Sequence, residues 1–167
     1  MTESDTSGTS GSITVAVNGA LGRMGQTVMG AVIAEPGLTL VGASDAAASS
    51  STIEVGGAGE IPIAGDPAGI LASTNARVIV DFSNAQGGMD TFRAATAAGA
   101  CAVSGSTGLS DGDLDEIRTL ADQAEVGVIS ASNFALGAIV LMHLARIASK
   151  YFDYADLLES HHEAKVD

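Results

Sequence analysis

The sequence predicts a doubly wound α/β fold with a parallel sheet. Three observations predict it. Short apolar runs alternate with longer helical stretches along the chain. The runs are almost continuously apolar, as strands covered on both faces are. A glycine-rich turn joins the first run to the first helical stretch, so the pattern opens as a strand–turn–helix unit.

Taken in order, the strand candidates are Ile13 to Val17, Leu38 to Ala43, Val78 to Asp81, Cys101 to Ser104 and Val126 to Ser130. Between and after them lie helical candidates over Gly22 to Ala34, Gly87 to Ala98, Gly112 to Ala124 and Asn133 to Tyr151. The third opens with acidic residues from Asp111, which suits the positive end of a helix dipole. The last is mostly apolar, and His143 within it reads as structural. Residues 1–12 are rich in Ser, Thr and Gly and read as a flexible tail. Ala46 to Gly59, rich in Ala, Ser and Gly, reads as a mobile loop. The domain expected from this pattern runs over 13–153, and 154–167 changes character.

Composition narrows the function classes. Lys and Arg total 7 against 20 Asp and Glu, a formal net charge of −13 over 167 residues. Such a surface repels nucleic-acid phosphates and anionic lipid headgroups alike. One cysteine, Cys101, excludes an internal disulfide framework and reads as an inert buried thiol in a strand. Neither a basic, apolar leader nor a membrane-length apolar run is present, so the expected setting is the cytoplasm.

The sharpest motif is V-A-V-N-G-A-L-G-R-M-G, Val15 to Gly25. Gly19 permits the tight turn, Gly22 permits close approach of a pyrophosphate, and Gly25 permits helix packing. The free N–H groups that open the following helix complete an anion site, with Arg23 able to add a charge. Asp45 ends the second strand about twenty residues later, where an acid accepts hydrogen bonds from an adenosine ribose. A Rossmann-like domain for NADH or NADPH is therefore expected. NADH is favoured, because Asp45 repels a 2′-phosphate and Ala46 brings no compensating charge. In such folds ligands bind beyond the carboxyl ends of the strands, which here places D-F-S-N (81–84), G-S-T-G (105–108) and A-S-N-F (131–134) at the site. Phe82 and Phe134 are candidates to pack on a cofactor.

Near the end, E-S-H-H-E-A-K (159–165) gathers two imidazoles and an ammonium. In an extended strand His161, Glu163 and Lys165 share one face, which can seat a proton donor beside a cation for an anionic substrate. A metal site using Glu159 or Glu163 is the competing reading, with no fixed ligand spacing behind it.

With these motifs collected, the chain resembles the N-terminal, nucleotide-binding part of the 4-hydroxy-tetrahydrodipicolinate reductase (dihydrodipicolinate reductase) family. The pieces that carry the resemblance, in order, are V-A-V-N-G-A-L-G-R-M-G, V-D-F-S, G-S-T-G, A-S-N-F-A-L-G and E-S-H-H-E-A-K-V-D. The resemblance implies NADH- or NADPH-dependent reduction of a cyclic dicarboxylate to tetrahydrodipicolinate, in diaminopimelate and lysine biosynthesis. It implies that Gly19, Ala20, Leu21, Gly22, Arg23 and Met24 wrap the pyrophosphate and that Asp45 holds the ribose. Gly105, Ser106 and Thr107, with Ala131, Ser132, Asn133 and Phe134, would line the nicotinamide side. His161 matches the family's proton donor/acceptor, Lys165 its second proton donor, and His162 a histidine on the substrate.

Four departures stand out. Ala164 replaces a third histidine, Ser106 stands where threonine is usual, and Asn18 precedes the glycine turn where a small residue is commoner. The family motif also continues beyond the position of Asp167 into a substrate and tetramerisation domain, so a truncated substrate domain over 154–167 is expected, inactive alone. Family members are homotetramers; the state of this chain is left open. Two other readings stay in play, a different NAD(P)-dependent oxidoreductase and a non-catalytic dinucleotide-sensing module.

Overall fold

A computed structural model describes residues 11–156 and Leu158. The elements are β1 (Ile13–Asn18), α1 (Arg23–Ala34), β2 (Leu38–Ser44), β3 (Thr52–Val55), β4 (Gly59–Ala64), α2 (Pro67–Ser73), β5 (Val78–Asp81), α3 (Ala85–Ala98), β6 (Cys101–Ser104), α4 (Asp111–Ala124), β7 (Val128–Ser130) and α5 (Leu136–Ala148). They fall into two compact units, the first ending at Ser132 and the second beginning at Asn133.

In the first unit the strands form one seven-stranded sheet in the order β3-β4-β2-β1-β5-β6-β7. Every neighbouring pair is parallel except β3 with β4. From β1 the chain winds outward through β2 to β4 and β3, then returns through α2 to β5 on the other side of β1 and winds the opposite way. Winding therefore reverses between β1 and β5, and a crevice opens at such a point above the strands' carboxyl ends.

Alternation along β1 builds two cores. Val15 and Val17 point to the layer of α1, where they meet Met29, Val32, Leu40, Ile61 and Ile63. Ala16 points to the opposite layer, where Ile79 and Ala102 of the sheet meet Ile70 of α2, Met89 and Phe92 of α3, and Ile117 of α4. The buried positions Gly25, Met29 and Val32 of α1 recur at helical spacing, so this helix seals one stripe and leaves the rest to solvent.

Four expectations change. Residues 46–59 are not wholly a loop: β3 lies inside them and pairs antiparallel with β4 through Ile53↔Ile61 and Val55↔Gly59. Ile53 and Val55 pack on the α1 core, and that burial holds a strand only four residues long. The element pair β4 and α2, absent from the sequence reading, follows directly; Asp66 caps α2 with its Oδ1 accepting from the Gly69 N–H at 2.7 Å, and Pro67 occupies the first turn. The final strand starts at Val128 rather than Val126, because the Val126 N–H bonds back to the Ala121 carbonyl at 3.2 Å and still belongs to the end of α4. The sheet is also not sealed on both faces throughout. On the α1 side Val78, Val80, Cys101 and Val103 are half-buried and Ile129 is 56% exposed, so the Cys101 thiol is not a buried one.

In the second unit α5 spans Leu136–Ala148, shorter than the Asn133 to Tyr151 expected. Asn133 accepts from the Ala135 N–H through Oδ1 at 2.8 Å and forms a turn ahead of the helix. No residue of α5 is buried, His143 included, so that histidine is not a core residue of this unit.

Candidate functional site

The site grows from the backbone of the first turn. Gly19 has φ +72°, a left-handed conformation that a side chain strains, and a Cβ there would stand 2.9 Å from the Phe82 carbonyl oxygen. A Cβ on Gly25 would land on the Gly19 carbonyl oxygen and 2.7 Å from the Ala20 Cα. The start of α1 is thus packed against the turn that follows β1 rather than against the strand itself. Ala20 is fully buried and donates its N–H to the Ser44 carbonyl at 3.1 Å. Gly22, Arg23 and Met24 are exposed and open the helix, whose first N–H groups have no intrahelical acceptor.

Asp45 follows β2 and is half-buried. Its carboxylate is engaged at both oxygens, Oδ2 with the Leu21 N–H and Oδ1 with the Ala47 N–H, each at 2.9 Å. It therefore braces the glycine turn as well as facing the crevice. A carboxylate has about four lone-pair sites, so two remain for a ligand's hydroxyls. Among the described residues, the crevice is a cavity of about 380 Å³ lined by Gly19, Gly22, Asp45, Asp66, Phe82 and Asn84 among others.

The loop after β6 completes the edge. Gly105 donates its N–H to the Asp81 carbonyl at 2.9 Å, and a Cβ on it would meet the ring of Phe82. Ser106 is buried and Thr107 exposed. Ala131 donates to the Ser104 carbonyl at 3.0 Å, and Ser132 beside it is exposed. Structure thus brings Gly19 to Met24, Asp45, Gly105 to Thr107, Ala131 and Ser132 to the carboxyl edge of the first unit. Asn133 and Phe134 belong to the second unit, where Phe134 is largely exposed. His161, His162 and Lys165, with Glu159 and Glu163, lie outside the described residues.

Sequence reasoning missed the second rim of the cavity. Asp66 and Pro67 line it from the α2 side, and Asn84 and Gly87 from the α3 side. Asn84 caps α3, its Oδ1 accepting from the Gly87 N–H at 3.0 Å. Asp-Pro ahead of an apolar stretch and Asn ahead of a helical pattern are both helix-start signals, and either could have marked this rim. The cavity lining contains Asp45, Asp66 and Asp90 and no Lys or Arg. Among the described residues no group of three or more His, Cys, Asp or Glu is placed to hold a metal, and no helix is long and apolar enough to cross a membrane.

A second missed feature runs beneath the cavity. The last residues of four adjacent strands, Ser44, Asn18, Asp81 and Ser104, are in register, and all are buried and polar. Asn18 fits this row because its side chain bonds to Ser44 and Asp81 within it and to Thr91 of α3, where a small residue would leave those partners unmatched.

Winding, strand order and the glycine turn at the reversal point define a Rossmann-like α/β domain. The family model described as dihydrodipicolinate reductase, N-terminus, matches residues 13–134. The chain belongs to the dihydrodipicolinate reductase family. A curated relative from Dehalococcoides mccartyi, named 4-hydroxy-tetrahydrodipicolinate reductase, is 41% identical over 156 residues, covering 93% of this chain and 59% of the relative. One of the same name from Desulfitobacterium hafniense is 41% identical over 165 residues, covering 93% and 60%. The solved structure of a dipicolinate-bound dihydrodipicolinate reductase from Paenisporosarcina sp. TG-14 superposes with a TM-score of 0.71 at 25% identity, over 84% of this chain and 55% of that one. The chain thus spans about 60% of the length of the curated relatives it matches.

Proposed function

We propose that this chain is the nicotinamide-dinucleotide-binding part of a 4-hydroxy-tetrahydrodipicolinate reductase, acting in diaminopimelate and lysine biosynthesis in the cytoplasm. The observation that carries the proposal is the cavity between the glycine turn, Asp45 and the cap of α3, at the point where the sheet reverses its winding. The fit to a dinucleotide rests on the turn. Gly19 and Gly25 leave no room for side chains, so the start of α1 and the turn after β1 meet backbone to backbone. In this reading Gly19 to Met24 cradle the pyrophosphate with backbone N–H groups and Arg23 supplies a charge beside it. Asp45 takes the adenosine ribose on its two free lone-pair sites. Gly105 to Thr107, with Ala131 and Ser132, face the nicotinamide side in this reading, and Asn133 and Phe134 are proposed as cofactor contacts. When bound, the nicotinamide supplies hydride to the substrate. Residues 13–153 form the dinucleotide part and 154–167 open the substrate part. His161 and Lys165 are proposed to move protons and His162 to touch the dicarboxylate substrate.

NADH is the proposed cofactor over NADPH. Asp45 and Asp66 both line the cavity, and neither has a basic neighbour in the lining to hold a 2′-phosphate. Calorimetric titration of both cofactors into the 167-residue chain, beside Asp45→Ala, tests the reading. Wild type should bind NADH saturably and more tightly than NADPH, and loss of the charge-assisted ribose contacts should weaken NADH by about tenfold. A chain that is folded by circular dichroism and binds neither cofactor overturns it.

A further inference from the structure

We propose that Asp81 is a positioning residue for this site: its buried carboxylate ties the glycine turn to the 105–107 loop and sets their separation. The inference rests on the dinucleotide reading above. Asp81 is fully buried at the carboxyl end of β5, yet it is not among the residues lining the cavity. Five donors converge on it. Oδ1 accepts from Asn18 Nδ2 at 2.9 Å, from Ser83 Oγ at 2.5 Å and from the Ser83 N–H at 3.2 Å. Oδ2 accepts from Ser104 Oγ and from Ser106 Oγ, each at 2.6 Å.

The donors come from three parts of the site: the end of β1 before the glycine turn, the segment after β5, and the end of β6 with the loop that follows it. Asn18 is the residue before Gly19, and its Oδ1 accepts from Ser44 Oγ at 2.8 Å, next to Asp45. Its Nδ2 also reaches Thr91 Oγ1 of α3 at 3.1 Å. Ser83 leads into Asn84, the cap of α3. Ser104 Oγ accepts from the Ser106 N–H at 3.1 Å, so the backbone of the 105–107 loop follows the two serines. A single carboxylate therefore links the ribose end of the cavity, through Ser44 and Asn18, to the loop proposed for the nicotinamide side. Among the described residues every buried side-chain nitrogen and oxygen has a partner, so the network has no slack donor to fill a gap.

The change Asp81→Asn keeps the shape and breaks this pattern. The N–H groups of Asn18 and Ser83 cannot accept, so the new amide must keep its oxygen on their side. Its NH2 then faces Ser104 and Ser106, whose hydroxyls must turn to accept from it: their protons lose the carboxylate, and two charge-assisted bonds become neutral ones. The glycine turn keeps its acceptor, and the 105–107 loop is held more weakly.

The test compares a ligand that spans both segments with one that needs only the turn. NADH and ADP are titrated calorimetrically into the full 167-residue chain, into Asp81→Asn and into Ser104→Ala. Asp81→Asn should weaken NADH by about tenfold and ADP by less than about threefold, and Ser104→Ala should show the same split at smaller size. Equal weakening of both ligands assigns Asp81 to general stability and overturns the proposal, as does unchanged NADH binding. If Asp81→Asn fails to fold by circular dichroism, the split in Ser104→Ala decides. Wild type that binds neither ligand removes the dinucleotide reading itself, an outcome distinct from either of these.

Discussion

Alanine at Gly25 and alanine at Gly30 should move stability in opposite directions, although both positions lie in α1. Alanine is better than glycine in a helix interior by about 1 kcal/mol, so propensity alone favours both changes. Space separates them. Around a Cβ on Gly30 nothing lies within 4 Å, and the residue is exposed. The gain there should be realised in full. A Cβ on Gly25 meets the Gly19 carbonyl oxygen and stands 2.7 Å from the Ala20 Cα, and both are backbone atoms that no rotamer change can move. Overpacking costs about 1–3 kcal/mol, and an obstacle made of backbone belongs at the upper end. Subtracting the propensity gain leaves Gly25→Ala less stable by about 1–2 kcal/mol. For a chain of this size 1 kcal/mol corresponds to about 2–4 °C in Tm. Scanning calorimetry should therefore show Gly30→Ala melting about 2–4 °C higher and Gly25→Ala about 2–8 °C lower than wild type. A rise in both variants would refute the reasoning, because it would mean that α1 does not press on the turn.

Two further outcomes follow from particular contacts. Ser110→Ala removes the cap of α4, where Ser110 Oγ accepts from the Asp113 N–H at 3.2 Å, and should cost about 1 kcal/mol in urea unfolding. The same hydroxyl, and then the Ser110 N–H, bond to the Asp113 carboxylate and hold its pKa below the usual carboxylate value. A depressed folded value means that this contribution is complete above the unfolded pKa of about 3.9 and is lost as pH falls through the lower folded one. An NMR titration of Asp113 should move up towards the ordinary value in Ser110→Ala, and an unmoved titration would contradict the capping box. Hydrogen exchange across 46–59 should find protected amides within Thr52–Val55 and fast exchange on either side; uniform fast exchange would mean that the hairpin is not formed.

Much of the site was legible in the sequence. The glycine turn and the acid that follows β2 are local patterns, a strand stopped by a turn and a turn opening a helix, and they depend on neighbours only a few residues away. The loops after β5 and β6 were legible for the same reason. The rim formed by Asp66 and Asn84 was hidden in signals that were present but unread. Asp81 was different. It stood in a recognisable V-D-F-S, but nothing local says that its partners are Asn18, 63 positions back, and Ser106, 25 positions on.

The sequence by itself determined the class of fold, the parallel strands β1, β2, β5, β6 and β7, and the turn on which the site is built. Those depend on hydrophobic periodicity and on residues with restricted or unusual backbone freedom, both of which are short-range properties. Tertiary structure alone decided the β3–β4 hairpin and the polar row of Ser44, Asn18, Asp81 and Ser104. Thr52 to Val55 is too short and too mixed to form a strand unaided; it becomes one because Ile53 and Val55 find the α1 core when β4 is laid beside β2. The buried acid is tolerable only because parallel register brings four strand ends level, so that donors from distant segments converge on its two oxygens. Pairing of that kind is a property of the assembled sheet, in which the free energy of each polar group depends on partners that the chain order does not place beside it.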